Sequence, residues 1–345
     1  MTFLKNAWYA VMWSSGLGVE PIARTITDEF IVLYRRDDGT PVALEDRCCH
    51  RALPLSLGLI EGDHIRCGYH GLLFAPNGNC VEVPGQSTIP PGAKVRSYPV
   101  VERWNTVWIW MGQEAAADET TIPELPWLDD RGWIPSSGCI HMNAHYQLLV
   151  DNLLDLTHVT YLHTRTIAGD PSEGLVPVKT ERDGDTVHVG RWMLDTPPPP
   201  MFADAGGFTG KVDRWQLITW RPPSTVVLDI GCADAGTGAP EGDRSHGISM
   251  WSTHLITPES DTATNYHWCY ARNYALDDAE MTRLLYEGGD RTFNEDVTVL
   301  EEQQVALLDK AEAPFIDINI DNAPMQARRI VDQLIAAERN KSSER

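Results

Sequence analysis

Residues 48–50 read Cys-Cys-His, and residues 67–71 read Cys-Gly-Tyr-His-Gly. The pairs Cys48-x-His50 and Cys67-x-x-His70 have sixteen residues between them, and each offers one thiolate and one imidazole. Soft thiolates combined with imidazoles select zinc or an iron–sulfur centre. A structural zinc site more often takes two cysteines from one knuckle and two histidines from the other. Here each knuckle supplies one of each. Two buried cysteines and two surface histidines holding no ion are the remaining alternative, and it needs both spacings to arise by chance.

Around these pairs the chain from Phe3 to Trp110 reads as short strands. Phe30–Tyr34 is a β-branched and aromatic run followed by a turn signal, Asp37-Asp38-Gly39. Val42–Leu44 resumes the pattern. Asn77-Gly78 predicts a hairpin between Leu72–Phe74 and Cys80–Val83, and Val107–Trp110 closes an all-β unit of about a hundred residues. The acidic run Glu114–Glu119 and the prolines after it predict a linker. The expected domains are 1–113 and 114–345.

Beyond the linker, Trp133–Tyr146 reads as one or two strands. Residues 151–163 follow, Asp-Asn-Leu-Leu-Asp-Leu-Thr-His-Val-Thr-Tyr-Leu-His. Asn152, Asp155, His158 and His163 interrupt an apolar series that also fits an ordinary amphipathic helix. Positions five apart on an α-helix differ by about 140°. His158 and His163 can therefore share one ion only if the helix widens or ends between them. Two histidines and a carboxylate form the facial triad of non-haem iron oxygenases. The residues alone leave Asp290, Glu295, Asp296 and Glu301 open as the carboxylate, on a helix starting near Asp277-Asp278.

At 345 residues the chain is long enough to bury a core without covalent staples. No run of eighteen apolar residues indicates a membrane helix, and the N-terminus lacks signal-peptide character, so a cytoplasmic protein is expected. A net charge of −21 repels nucleic acid and suits a partner with a basic patch. Seven irregularly spaced cysteines predict free thiols or metal ligands rather than a disulfide framework.

The remainder carries strand-like runs at Asp213–Trp220, Thr225–Ile230, Gly247–Ile256 and Thr264–Arg272. Gly231–Gly247 is expected as a joining loop without nucleotide-loop order. Pro197–Pro200 is expected to be rigid and Met201–Gly210 a mobile loop. Asp278–Tyr286 and Ala323–Ala337 read as helices, the second with Ile330, Leu334 and Ile335 on its packing face, and Glu338–Arg345 as a frayed end.

Cys48-x-His50…Cys67-x-x-His70-Gly71 resembles the ligand signature of a Rieske [2Fe–2S] centre. In such a centre two cysteines hold one iron and two histidines the other. Gly68 and Gly71 suit a tight backbone approach to a cluster. Asn152-x-x-Asp155-x-x-His158-x-x-x-x-His163 resembles the mononuclear iron motif of the Rieske non-haem iron oxygenases. The resemblance spans the whole chain and is nearest to the branch with vanillate O-demethylase and toluenesulfonate methyl-monooxygenase oxygenase components. Cys49 departs from the usual Pro; it is either a small buried hydrophobe or a redox-sensitive thiol. Leu53 and Gly68 stand where respiratory Rieske proteins carry a disulfide, which favours the lower-potential oxygenase type.

The resemblance implies an α+β chain, an all-β Rieske domain followed by a helix-grip domain with an antiparallel sheet over the iron helix. It implies His158, His163 and Asp296 as iron ligands, with the other three acids as solvated helix charges. Asp155 would link a Rieske histidine of one subunit to an iron histidine of the next, through His70, Asp155 and His158 of a homotrimer. Asn152, a candidate substrate-pocket residue with Asp229 and His254, would tune the site or fix its helix. Asp229 and His254 would face the substrate's acid group. A carboxylate at 229 repels an anion unless protonated or paired, so a phenol or neutral aromatic ether stays open.

The implied activity is that of a terminal oxygenase. O₂ and electrons from NAD(P)H, through a separate flavin/iron–sulfur reductase or a ferredoxin, would hydroxylate a methyl or methoxy group of a small aromatic compound. The alternatives are aromatic ring cis-dihydroxylation and a non-catalytic Rieske electron carrier.

Overall fold

A computed structural model describes residues 3–167 and 171–343. The chain divides into two compact units: residues up to Ile122 together with Thr257–Ser260, and Pro123–Ile256 with residues from Asp261 onward.

The first unit is all β outside short turns. Its strands are β1 (Trp8–Trp13), β2 (Ile22–Ile26), β3 (Glu29–Arg35), β4 (Pro41–Glu45), β5 (Leu59–Glu61), β6 (His64–Arg66), β7 (Leu73–Phe74), β8 (Cys80–Glu82), β9 (Ser97–Tyr98), β10 (Val100–Arg103) and β11 (Thr106–Trp110). They form three sheets ordered β1-β11-β10, β2-β3-β4-β9 and β5-β6-β7-β8. The Asn77-Gly78 turn lies between β7 and β8, which pair antiparallel, with Gly78 at φ +79°. The stretch expected to be a linker belongs to this unit. It forms two 3₁₀ turns, Glu114–Ala116 and Glu119–Thr121, and the Trp8 indole donates to the Asp118 carbonyl at 2.9 Å.

The second unit is built on one antiparallel sheet of seven strands: β12 (Ile134–Met142), β13 (Lys179–Asp183), β14 (Thr186–Thr196), β15 (Val212–Arg221), β16 (Thr225–Asp234), β17 (Gly247–Ser260) and β18 (Ala263–Arg272). Their order is β12-β18-β17-β16-β15-β14-β13. The hairpin β13–β14 was not anticipated. Lys179–Asp183 is almost wholly polar and exposed, as suits an edge strand that must resist pairing with another chain. β16 runs on through Gly231 to Asp234, into the expected loop.

Among the described residues five helices complete the unit: α1 (Tyr146–Leu154), α2 (His158–Leu162), α3 (Pro200–Gly206), α4 (Ala279–Asp309) and α5 (Asn322–Ser343). α3 replaces part of the expected mobile loop. Proline is favoured in a helix's first turn, where its missing N–H has no partner to lose. The Pro199 carbonyl accepts from the amides of Phe202 and Ala203, which closes that turn. α5 continues to Ser343, into the segment expected to fray, of which residues 344 and 345 lie outside the described residues. It buries Ile330 and Ile335, and Arg328 pairs with Asp151 of α1, Nε to Oδ2 at 2.9 Å.

α4 is capped by Asp278, whose carboxylate accepts from the Met281 amide. Its buried stripe runs Leu285, Gly289, Thr292/Phe293, Asp296/Val297, Leu300, Gln304, at helical spacing. A Cβ at Gly289 would stand 2.8 Å from the Tyr270 ring and 2.9 Å from the Trp268 ring, so glycine sets how closely α4 lies on β18. A Cβ at neighbouring Gly288 meets nothing within 4 Å. Gly289→Ala should therefore lower the melting temperature, costing about 1–3 kcal/mol by overpacking. Gly288→Ala should raise it by the helix-propensity gain of about 0.5–1 kcal/mol. Thermal unfolding of the two variants checks this; shifts of the same sign would refute the packing assignment.

Candidate metal centres and active site

The two Cys/His loops of the first unit repeat one backbone design. The Cys48 amide donates to the Leu53 carbonyl and the Cys67 amide to the Leu72 carbonyl, both at 2.8 Å and both five residues on. The amides of Ala52 and Gly71 return to the carbonyls of Cys48 and Cys67. Both returning residues are left-handed, at φ +59° and +76°. Each loop buries its cysteine and exposes its histidine. The His50 and His70 rings lie with centroids 4.5 Å apart. Desolvation, with Cys67 alongside, pushes the Cys48 thiol up to about 11, so a thiolate at Cys48 needs a cation beside it. A metal centre with two sulfur and two nitrogen donors fits this set.

Gly68 and Gly71 are also confined by the chain itself. A Cβ at Gly68 would meet the Leu57 carbonyl oxygen at 2.8 Å, and one at Gly71 the Pro84 ring at 2.9 Å. Cys49 is exposed rather than buried. Partial desolvation and Cys80 nearby raise its pKa, which works against a reactive thiolate.

In the second unit α1 ends at Leu154, and the chain restarts as α2 at His158. Asp155 makes the break. It is extended (φ −104°, ψ 100°), and its Oδ1 accepts from the Thr157 amide at 2.8 Å and hydroxyl at 2.6 Å. α2 stops at Leu162, so His163 lies just past its end at φ −95°, ψ 32°. The helix ends between the two histidines, one of the two geometries that let both rings meet one ion. Their centroids are 5.1 Å apart.

Asp296 comes to them from the buried stripe of α4. Its Oδ1 lies 3.1 Å from His163 Nε2 and 3.5 Å from His158 Nε2. One ligand atom from each of the three falls within 4.8 Å of the others. A carboxylate only 2% exposed among Phe293, Val297 and Leu300 needs compensating positive charge, and a divalent cation fits. Desolvation lowers the His158 pKa, with Asp296 opposing it. At His163 desolvation is outweighed by the carboxylates of Asp296 and Glu295, and the pKa is raised.

Two further groups hold this trio. Asn152 Nδ2 donates to Asp296 Oδ1 at 3.0 Å, while its buried Oδ1 has no hydrogen-bond partner among the described residues. Asn152 thus orients the carboxylate. Glu295, expected as a solvated charge, accepts through Oε2 from His163 Nδ1 and from the Thr166 hydroxyl, both at 2.8 Å. A carboxylate on the far nitrogen fixes the ring and raises its basicity as a ligand. Glu301 is also engaged, accepting from the Asn143 amide at 2.7 Å. Asp290 is half-buried on α4.

A cavity lies between the inner face of the sheet and α1, α2 and α4, and the trio opens onto it. Leu228, Ile230 and Met250 form its apolar sheet wall. His254 lines it but is spent: Nε2 meets Ser252 Oγ at 2.8 Å and Nδ1 meets Tyr266 Oη at 2.6 Å. Desolvation takes its pKa down to about 3, so the ring is neutral. Asp229 does not reach the cavity. Strand residues alternate faces, and with Leu228 and Ile230 pointing in, Asp229 points out to a groove beside Trp251. There it accepts from Trp215 Nε1 at 2.8 Å and pairs with Arg244 at 2.5 Å.

Residues 7–99 match the Rieske [2Fe–2S] domain, and residues 142–337 match the vanillate O-demethylase oxygenase C-terminal domain. The chain is 42% identical over 341 residues to a toluene-4-sulfonate monooxygenase system iron–sulfur subunit of Comamonas testosteroni, covering 97% of this chain and 98% of that one. It is 38% identical over 341 residues to a vanillate O-demethylase oxygenase subunit of a Pseudomonas species, covering 97% and 96%. The crystal structure of dicamba monooxygenase bound to dicamba superposes with a TM-score of 0.90 at 31% identity, covering 99% of this chain and all of that one.

Fold and sites together define the oxygenase component of a Rieske non-haem iron monooxygenase. Within that class the chain belongs to the family that carries the vanillate O-demethylase oxygenase C-terminal domain. It uses a Rieske [2Fe–2S] cluster, a mononuclear iron, O₂ and electrons from a separate reductase, as expected. A bare electron carrier is excluded, because the match runs through the catalytic domain.

Glu295→Ala should leave the visible spectrum of the cluster intact and weaken mononuclear iron binding by about 10–100-fold, the usual cost of losing a partner behind a ligand. Iron analysis after dialysis against a chelator, beside the cluster absorbance, measures it. Iron retention equal to the parent protein would reduce Glu295 to a surface charge.

Proposed function

We propose that this chain hydroxylates a methyl or methoxy carbon of a small aromatic compound. Cys48, His50, Cys67 and His70 hold the cluster, and His158, His163 and Asp296 hold the iron. The observation that carries this reading is an apolar cavity shaped by Leu228, Ile230 and Met250 that opens directly on the two imidazoles and the buried carboxylate. The named activities of the relatives, on toluene-4-sulfonate, vanillate and dicamba, support the substrate class.

When bound, the iron supplies activation of O₂ at the positions its three protein ligands leave open. The chain does the rest. Asn152 and Glu295 fix the directions of Asp296 and His163. Leu153, Val159 and Phe202 add apolar lining, which disfavours water beside the reacting carbon. Two electrons and two protons enter with O₂; one oxygen atom joins the substrate carbon and the other leaves as water. An aryl methyl group becomes the alcohol. A methoxy group becomes a hemiacetal that breaks to a phenol and formaldehyde.

The working form in this proposal is a cytoplasmic homotrimer. Asp155 and His158 open onto a groove that also holds Tyr161, Phe315 and Ile316, three large apolar side chains left 82%, 74% and 87% exposed. A second copy would cover them and bring His70 of the partner subunit to Asp155. Asp155 Oδ1 is committed to Thr157, while Oδ2 accepts no hydrogen bond among the described residues.

A panel of aryl ethers and aryl methyl compounds, run with a surrogate reductase, tests the activity by comparing O₂ uptake with formaldehyde or alcohol formed. Equal amounts are expected for at least one compound. A cis-diol product, or uptake without product across the panel, would overturn the reading. For the bridge, Asp155→Asn should keep both iron centres and reduce coupled turnover by about a hundredfold or more, the order of cost for losing a transition-state-level contact. Turnover within about twofold of the parent would remove Asp155 from the electron path.

A further inference from the structure

The cavity wall is polarised in a way that iron binding does not use. On the inner face of the sheet, Arg191 of β14 stands directly across from Gln216 of β15, and Gln216 from Ile230 of β16. Arg191 Nε donates to Gln216 Oε1 at 2.7 Å, and its Nη1 donates to the Glu173 carbonyl at 2.6 Å. A guanidinium can only donate, so the Gln216 oxygen must face Arg191 and its NH₂ must face away. That NH₂ has no acceptor among the described residues, and Gln216 lines the cavity.

Arg214, two positions earlier on the same face, lines it too. Its Nη1 donates to Glu173 Oε2 at 2.6 Å, and its other N–H groups have no acceptor among the described residues. Arg191, Arg214 and Glu173 are 3%, 6% and 6% exposed. Of these two buried guanidinium groups only Arg214 hydrogen-bonds the Glu173 carboxylate, while Arg191 meets the Glu173 backbone carbonyl and feels the carboxylate's charge. Asp155, a further carboxylate that Arg191 feels, is half-buried and committed to Thr157.

The opposite side of the wall ends in Ser252. The Tyr266 hydroxyl meets no acceptor among the described residues except His254 Nδ1. Donation there places the ring proton on Nε2, aimed at Ser252 Oγ. The Ser252 hydrogen is left for the cavity. Thr166 and Thr292 also line the cavity, and their hydroxyls are spent on Glu295 and on the Gly288 carbonyl. Arg214 and Gln216 therefore offer N–H donors and Ser252 a hydroxyl, on either side of the apolar strip, in a cavity that the Tyr270 hydroxyl and the Asp296 carboxylate also line.

We infer that Gln216 and Arg214 are specificity-determining residues that read an oxyanion, a carboxylate or a sulfonate, on the aromatic substrate, with Ser252 adding a hydrogen bond. Unused N–H groups on a guanidinium and an amide, side by side on the cavity wall, reward acceptor oxygens and match an uncharged amide less well. Asp229 poses no repulsion, being outside the cavity and paired with Arg244. The inference rests on the reading that the cavity takes a small aromatic methyl or methoxy compound.

Calorimetric titration of the holoprotein with benzoate and benzenesulfonate, against benzamide and benzenesulfonamide, tests it without turnover. The acids should bind about tenfold or more tightly than the matching amides, the worth of a charge-assisted hydrogen bond. Comparing the two acids tells carboxylate from sulfonate. Gln216→Glu keeps an oxygen for Arg191, so the fold and both iron centres are retained, and it replaces the amide hydrogens with a negative charge. It should lose that preference by about tenfold or more while amide affinity stays within about twofold. Equal binding of acids and amides by the parent, or a preference that survives in Gln216→Glu, overturns the inference. Product from neutral aryl ethers without any acid preference would sink this inference alone. Acid preference without product from any methyl or methoxy compound would sink the activity instead.

Discussion

The catalytic unit is organised by a carboxylate taken out of water. Burying the Asp296 anion costs several kcal/mol, of order, unless partners restore what solvent gave it. Those partners arrive from three places: the amide of Asn152, the imidazoles of His158 and His163, and the cation they can hold together. Much of the nearby architecture serves that meeting. Gly289 lets α4 lie against the aromatic rings of β18, which brings Asp296 down to the histidines. Asp155 ends α1, and α2 stops at Leu162, so His163 leaves the helix and both rings turn toward one point. Without the stop at Leu162, a helix would carry the two rings about 140° apart.

The first unit solves the same problem with the opposite exposure. Its two loops share a pair of backbone hydrogen bonds and a left-handed residue at the fourth position after the cysteine. Sulfur donors are held inside and nitrogen donors outside. This suits an electron-transfer centre, since exposed imidazoles can meet a partner while buried sulfurs stay protected. The left-handed residue is glycine in one loop and Ala52 in the other. An alanine at φ +59° carries a steric cost, so the loop's hydrogen bonds must hold it there.

Motif spacing and helix periodicity made much of this legible in the sequence, and side-chain direction hid the rest. The strands around Phe30–Tyr34 and Val107–Trp110 follow from β-branched and aromatic runs. The histidine geometry follows from counting residues per turn. Asp296 was also recoverable from periodicity, because among the acids from Asp290 to Glu301 it alone falls on the stripe Leu285–Phe293–Val297–Leu300. Glu295 was not: beside a ligand on a helix it looks like any surface charge until His163 is seen behind it. α3 was hidden because four prolines read as a rigid coil, although one of them begins a helix.

Asp229 shows where resemblance outran direction. A strand residue shows its chemistry only on the face it points to, and a one-residue step reverses that face. Leu228 and Ile230 are apolar in the run Val226–Ile230, which already marks Asp229 as the outward member between two inward ones. The same alternation on β15 places Arg214 and Gln216 inward and Trp215 outward, where Trp215 and Arg244 neutralise Asp229. Charge in this sheet is thus sorted by face: the acid that would repel an anion is turned outward and paired, and two guanidinium groups are turned inward. A buried guanidinium whose donors are only partly met is costly to keep. Such a cost persists where a ligand completes the pairing, which ties the composition of the inner face to the chemistry of what enters it.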